Sequence, residues 1–203
     1  MKLFDTKLAP NARRVRIFLA EKGISVPLEP VDLMKLEQRS EDFTSLNPDQ
    51  KVPVLALDDG TILSESVAIC RYFEEIQPEP ALFGRGALGR AQVEMWQRRL
   101  ELELFFPIME TVRNGHPAWA VLESPQLADH AAKMRQRVLD VLPRLDRDLA
   151  DREFAAGDAF SIADITGLCA LDFMRIPRIR IPDELVHLKR WHAALSERPS
   201  ATA

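Results

Sequence analysis

Gln50 to Ser66 reads QKVPVLALDDGTILSES. Val52 to Leu57 is a short apolar run of strand formers and Thr61 to Leu63 is a second. Between them, Asp58-Asp59-Gly60 is a hairpin signal with glycine where a positive φ is wanted. The strands run into Ser64-Glu65-Ser66, after which Val67, Ile69, Cys70 and Phe73 fall at helical spacing, so a serine caps a helix there. Pro53 departs from this pattern, because proline removes a ladder donor and belongs on an edge strand or at a bulge.

Two arrangements are open for Pro53. With a cis Val52-Pro53 bond, the N–H and C=O of Val52 turn away from the sheet and can pair with an extended peptide, a one-residue form of strand addition. The helix that follows then offers its free N–H groups and positive dipole end to a carboxylate alongside. With a trans bond the same residues are an edge strand and an ordinary helix cap.

Upstream, Lys2 to Phe4 reads as a first strand and Asp5 to Pro10 as a loop. Asn11 is a candidate N-cap for a helix with Val15, Phe18 and Leu19 on one face, closed by Gly23. Ile24 to Val31 has strand formers, but Pro27 and Pro30 restrict it to an edge. The charged stretch Asp32 to Asn47 reads as a loop with one helical turn. The resulting order, β-α-β, loop, β-β-α, is that of a thioredoxin-like domain, here residues 1–77. Residues 78–86, with two prolines and two glycines in QPEPALFGRG (77–86), form a linker.

From 87 to 203 the pattern is all-helical. Val93, Trp96, Leu100 and Leu104 open a long amphipathic helix reaching about Arg113, with a kink expected at Pro107. Ser124-Pro125 reads as an N-cap with proline at the first helical position, ahead of a stripe through Ala131, Val138, Leu142, Leu145 and Leu149. Pro143 is expected to bend that helix. Ser161-x-x-Asp164 is a capping box, and Asp183 starts a last helix with Leu185, Leu188, Trp191 and Leu195 inward.

Composition narrows the partners. A chain of 203 residues with 46% hydrophobic and 29% charged residues is ordinary for a globular protein, and a net charge of −4 argues against nucleic acid or an anionic membrane as main partner. No run approaches membrane-spanning length and the N-terminus lacks a signal-peptide pattern, so a cytoplasmic protein is expected. The two cysteines, Cys70 and Cys169, form no CxxC, and the four histidines form no HExxH, so no metal site is expected.

Asn47-Pro48, Lys51-Val52-Pro53-Val54-Leu55, the Asp-Asp-Gly hairpin and Glu65-Ser66 together resemble the glutathione-binding half of cytosolic glutathione transferases. VRIFLAEKGI (15–24) and FAAGDAFSIADIT (154–166) resemble the same family, so the likeness covers essentially the whole chain. The resemblance implies an α/β thioredoxin-like domain followed by an all-α domain, with glutathione as co-substrate. It further implies a cis Pro53, Val52 pairing with the cysteinyl part of glutathione, and Glu65 and Ser66 holding its γ-glutamyl end. Gln50 and Lys51 complete the expected binding set.

Glutathione brings its own thiol, so the protein has only to favour the thiolate, and lowering its pKa from about 8.5 to about 6.5 takes roughly 2.7 kcal/mol. In serine-type relatives the hydroxyl that does this lies in a motif like Ser-Pro-Asn-x-x-x-Val, where this chain has Ala9-Pro10-Asn11-Ala12-Arg13-Arg14-Val15. The position used by tyrosine-type relatives holds Asp5 and Thr6, and the only tyrosine is Tyr72. Thr6, Asn11 and the N–H groups after Pro10 are therefore the candidates, with Asn11 equally readable as a cap. The second substrate is expected beside Leu8, Phe105, Phe106, Met109, Arg113 and Trp119. The expected activity is conjugation or reduction of small electrophiles by a homodimer. A glutathione-dependent disulfide or peroxide reductase and a non-catalytic interaction module are the alternatives.

Overall fold

The computed structural model describes residues 1–203, which form two units, Met1–Pro80 with Thr202–Ala203, and Ala81–Ala201. In the first, β1 (Lys2–Asp5), α1 (Pro10–Lys22), β2 (Leu28–Pro30), α2 (Glu41–Leu46), β3 (Val54–Ala56), β4 (Ile62–Leu63) and α3 (Ser66–Ile76) follow one another. The sheet order is β2-β1-β3-β4, with β1 parallel to β2 and antiparallel to β3, and β3 antiparallel to β4. Pro30 thus ends an edge strand and Pro27 directly precedes it, where a missing N–H costs no ladder bond. Gly60 takes φ +88° in the turn joining β3 to β4, where Leu57 N–H reaches Thr61 O at 2.9 Å.

Helices α1 and α3 pack against each other, burying Val15, Phe18, Ile69, Cys70 and Phe73. At the α1 C-terminus, Gly23 at φ +64° lets Ile24 N–H close back on Leu19 O at 2.9 Å. At its other end α1 starts two residues earlier than expected. Pro10 is the first helical residue and Ala9 the cap position, without a side-chain cap, so Asn11 does not cap the helix and its amide is left for other uses. Asp32 to Asn47 is more ordered than its polarity suggests. Its polar residues are caps: Asp32 accepts from Met34 N–H (2.9 Å) to start a 3₁₀ turn, and Ser40 accepts from Phe43 N–H (3.2 Å) to start α2.

The second unit contains α4 (Gly86–Arg99), α5 (Phe106–Gly115), α6 (Ala128–Asp148), α7 (Ile162–Phe173) and α8 (Val186–Ser196). A π-helical stretch, Leu100–Phe105, runs without interruption from α4 into α5. It answers the expectation at Pro107, whose nitrogen cannot donate and whose ring excludes an ordinary turn beneath it. The ladder widens just before the proline, Phe106 N–H bonding Glu101 O. Pro143 is carried inside an unbroken α6. Ser124-Pro125 does not cap that helix. The Ser124-Pro125 bond is cis and α6 starts at Ala128, its approach held by Gln126 Nε2 on Arg113 O (2.6 Å) and by Asn114 Oδ1 on Leu127 N–H (3.1 Å).

Helix α7 is buried on nearly every side and is the axis of this unit. Its start carries the expected capping box. The Asp164 carboxylate, with no solvent exposure, accepts from Ala155 N–H (2.8 Å), Ser161 N–H and Oγ–H (both 2.9 Å) and Trp191 Nε1–H (3.0 Å). Burial pushes this carboxyl above the usual carboxylate range, against the pull of its donors. Trp191 lies on α8 and approaches so closely that a Cβ at Gly167 would stand 2.2 Å from its ring. The start of α8 is capped from α6, not by Asp183: Asp146 Oδ1 accepts from Leu188 N–H at 2.8 Å, while Asp183 pairs with Lys189. No helix is long and apolar enough to cross a membrane.

Replacing Asp164 by alanine strands four buried donors. Each stranded donor costs about 1–3 kcal/mol, so Asp164→Ala should lower stability by at least about 3 kcal/mol in denaturant unfolding. A loss below about 1 kcal/mol would show that the carboxylate does not hold the helices.

Candidate functional site

Two helix starts and one loop of the first unit meet at a small cleft. Asn11 reaches it from the first turn of α1 and Ser66 from the first turn of α3, with Ser64 and Glu65 beside it. The loop contributes Asn47, Asp49, Lys51, Val52 and Pro53. The Val52-Pro53 bond is cis. The ladder between β1 and β3 begins at Val54, and neither the N–H nor the C=O of Val52 enters a main-chain hydrogen bond. Those two groups are the donor and acceptor that an extended peptide needs to pair as a further strand.

The loop is braced from inside by Asn47, 5% exposed, whose Nδ2 donates to Lys51 O at 2.9 Å and whose Oδ1 accepts from Asp49 N–H at 3.3 Å. Its side chain satisfies backbone groups that no sheet or helix could reach, and so sets the path of Lys51 and Val52. Gln50 belongs to the brace rather than the cleft. It adopts φ +54° and its Nε2 donates to Thr44 Oγ1 on α2 at 3.1 Å.

No serine side chain caps α3. The cap position is Glu65, at φ +64° and ψ 113°, and Ser66 is the first helical residue. A glutamate at this φ is strained, and its exposed carboxylate stands at the cleft. Ser66 is 4% exposed, and its Oγ accepts from Arg14 Nη1 at 2.9 Å and donates to Asn11 Oδ1 at 3.5 Å. The free N–H groups of both helix starts and the positive ends of both dipoles therefore face one region. The arrangement suits an anionic, extended ligand. Carboxylate is favoured at the α3 start, a main-chain amide at Val52, and an ammonium group near Asp49 and Glu65.

Of the sequence-derived residues, Asn11, Lys51, Val52, Pro53, Glu65 and Ser66 come together here. Thr6 does not line the cleft. It is 8% exposed, its carbonyl accepting from Arg16 Nη1 at 3.3 Å while the same guanidinium pairs with Asp5 at 2.6 Å. The sequence reading gave no role at the cleft to Asn47, Asp49 or Arg14. The Asn-Pro step was a visible turn signal for the first, whereas nothing in the Arg13-Arg14 pair says which of the two is buried. Among the residues expected around a second substrate, Phe105 is core at 4% exposure, Phe106 is 50% exposed, Arg113 pairs with Glu123 at 3.3 Å, and Trp119 packs edge-on to Phe173. No group of three His, Cys, Asp or Glu is placed to hold a metal ion. His130 and His192 each face a carboxylate, Glu110 at 2.9 Å and Asp172 at 2.7 Å.

Residues 9–76 match the family model of the glutathione S-transferase N-terminal domain and residues 102–199 that of the C-terminal domain. The chain is 34% identical to glutathione S-transferase 2 of Saccharomyces cerevisiae, over 98% of this chain and 87% of that protein. The crystal structure of Gtt2 from the same yeast superposes with a TM-score of 0.95 at 34% identity, covering 100% of this chain and 99% of the other. A glutathione S-transferase domain-containing protein from Marinobacter aquaeolei VT8 superposes with a TM-score of 0.94 at 38% identity, covering 98% and 99%. The chain belongs to the glutathione S-transferase family. Its enzyme class is accordingly that of a transferase with glutathione as co-substrate.

The strain at Glu65 can be measured. A residue held in such a region costs about 1–3 kcal/mol. A glycine loses only about 0.4–1 kcal/mol through the unfolded chain, so Glu65→Gly should raise the melting temperature. It should also weaken glutathione binding, since the carboxylate at the cleft is gone. A lower melting temperature would refute the strain.

Proposed function

We propose that this chain conjugates or reduces small electrophiles with glutathione, and that Asn11 with the start of α1 stabilises the thiolate. Glutathione lies extended along the cleft, its cysteinyl amide paired with Val52, its γ-glutamyl carboxylate on Ser66 and the α3 start, and its ammonium near Glu65 and Asp49. The observation that carries this reading is the convergence of Asn11, Val52 and Ser66 on one cleft. Lys51 supplies a cation at the other end of the same loop, and Gln50 supports the loop from behind. With alanine at position 9 and Thr6 outside the cleft, Asn11 is the side chain best placed to face a sulfur held at Val52.

A hydrogen bond to a charged acceptor is worth roughly twice one to a neutral acceptor, so Asn11 acts more on the thiolate than on the thiol. Asn11→Ala should therefore lower kcat about tenfold or more while changing the glutathione Kd less than threefold. Steady-state kinetics with a generic aromatic electrophile, alongside calorimetric titration, measures both. Equal losses in the two would make Asn11 a binding residue only. Turnover of a disulfide or peroxide without conjugation would move the assignment to a glutathione-dependent reductase, and absence of any glutathione-induced thermal shift would move it to a non-catalytic module.

We further propose a homodimer. Leu88, Met95 and Leu102, at 72%, 41% and 56% exposure, recur every seven residues along the continuous helix of α4 and the π segment. Three large apolar side chains at that spacing on one helix support burial against a second copy. Sedimentation velocity should give a mass near twice 23.0 kDa at micromolar concentration, and Leu102→Glu should shift it toward the single-chain value.

A further inference from the structure

The guanidinium of Arg14 lies 1% exposed inside the first unit, one helical turn beyond Asn11, with Nη1 at 2.9 Å from Ser66 Oγ. This is a cation placed directly behind a serine at the first turn of a helix. Its position has a specific effect on the hydroxyl. The oxygen of Ser66 already accepts from Arg14, so its single hydrogen must point away from the guanidinium. It points toward Asn11 Oδ1, at 3.5 Å the weakest of the contacts here and the one most easily exchanged for a better acceptor. A hydroxyl that accepts from a cation is also a stronger donor in turn.

We propose that Arg14 is a positioning residue for ligand recognition, a role that rests on Ser66 holding the γ-glutamyl carboxylate of glutathione. Arg14 fixes Ser66 as a donor aimed at the cleft and sets a buried positive charge one hydroxyl behind the ligand carboxylate. Water cannot screen that charge as it screens the exposed Lys51, because both Arg14 and Ser66 are shielded from solvent. The carboxylate thus meets three aligned features: the Ser66 hydroxyl, the N–H groups of the α3 start, and the guanidinium behind them. When the hydroxyl turns to the carboxylate, Asn11 Oδ1 loses its contact with Ser66, and the amide that faces the sulfur is free to reorient. Binding of the γ-glutamyl end and readiness of the thiolate site are coupled through this exchange.

The test compares two ligands. One is glutathione; the other is 4-aminobutyryl-cysteinyl-glycine, which lacks only the α-carboxylate of the γ-glutamyl residue. By titration calorimetry, Arg14→Gln should weaken glutathione about tenfold and leave the affinity for the analogue within about twofold of the unsubstituted protein. Arg14→Lys, which keeps the charge without the fork, should recover part of the loss for glutathione. A purely structural role would weaken both ligands together, and that outcome, or no loss for either, would overturn the proposal. If Arg14→Gln does not fold, Arg14→Lys alone decides. A loss confined to glutathione supports the role, whereas an equal loss for both or none excludes it. Ser66→Ala serves as the separate arm. Discrimination lost in Ser66→Ala but intact in Arg14→Gln removes Arg14 alone, whereas discrimination intact in Ser66→Ala removes the reading of Ser66 and the role of Arg14 with it.

Discussion

The hydrogen bond from Arg14 to Ser66 ties the starts of α1 and α3 together, the two helix ends that meet at the cleft. Parting the two helix starts would take a buried hydroxyl from a buried charged donor, so the pair is kept in one geometry by the penalty for breaking it. With the helices locked in that relation, their dipoles point at common ground and their unpaired N–H groups form one surface. Onto that frame the loop from Asn47 to Pro53 adds the single main-chain donor and acceptor of Val52. The brace for that loop is again a buried polar side chain, Asn47. In both places a buried polar side chain sets the path of backbone that lines the cleft.

The two units each contain a buried charge at a helix start, used in opposite ways. In the second unit the Asp164 carboxylate is surrounded by donors of the protein itself, from Ala155, Ser161 and Trp191, leaving nothing for a ligand. Its work is to join the loop before α7, the start of α7 and the face of α8. In the first unit Arg14 donates to a hydroxyl that lines a cleft. Of the four non-glycine residues at positive φ, Glu65 and Gln50 lie at the cleft and its brace, whereas Leu36 and Arg178 lie elsewhere.

The chemistry asks little of the protein beyond this. The nucleophile belongs to the co-substrate, and favouring its thiolate by two pKa units is worth about 2.7 kcal/mol, which one charge-assisted hydrogen bond and a helix start can supply. Alanine stands at position 9, while Asn11, Val52 and Ser66 meet at the cleft. The early start of α1 at Pro10 matters here, since it releases Asn11 from capping and leaves its amide at the edge of the cleft.

Much of this was legible in the chain because it is written locally. The hairpin at Asp58-Asp59-Gly60, the edge prolines, the closing Gly23 and the Ser161-Asp164 box depend on residues within a few positions of one another, where spacing alone carries the geometry. The residues between Lys51 and Ser66 that line the cleft were legible for the same reason. Misread were the places where partners come from afar or where a polar residue has two uses. Ser124-Pro125 has the letters of a helix start, but Asn114 and Gln126 hold that segment in another path. Asp183 was in position to cap α8, yet Asp146, 42 residues earlier, does so. Thr6 and Asn11 were equal candidates by sequence. Only the fold turned one into the wall and left the other in the cleft, because burial is settled by which surfaces pack together. The sequence by itself thus determined the fold class and the family. Which arginine lies behind Ser66, which asparagine braces the loop and which carboxylate caps the last helix were decided by tertiary contacts, since hydrogen bonds between distant segments leave no periodic trace in the chain.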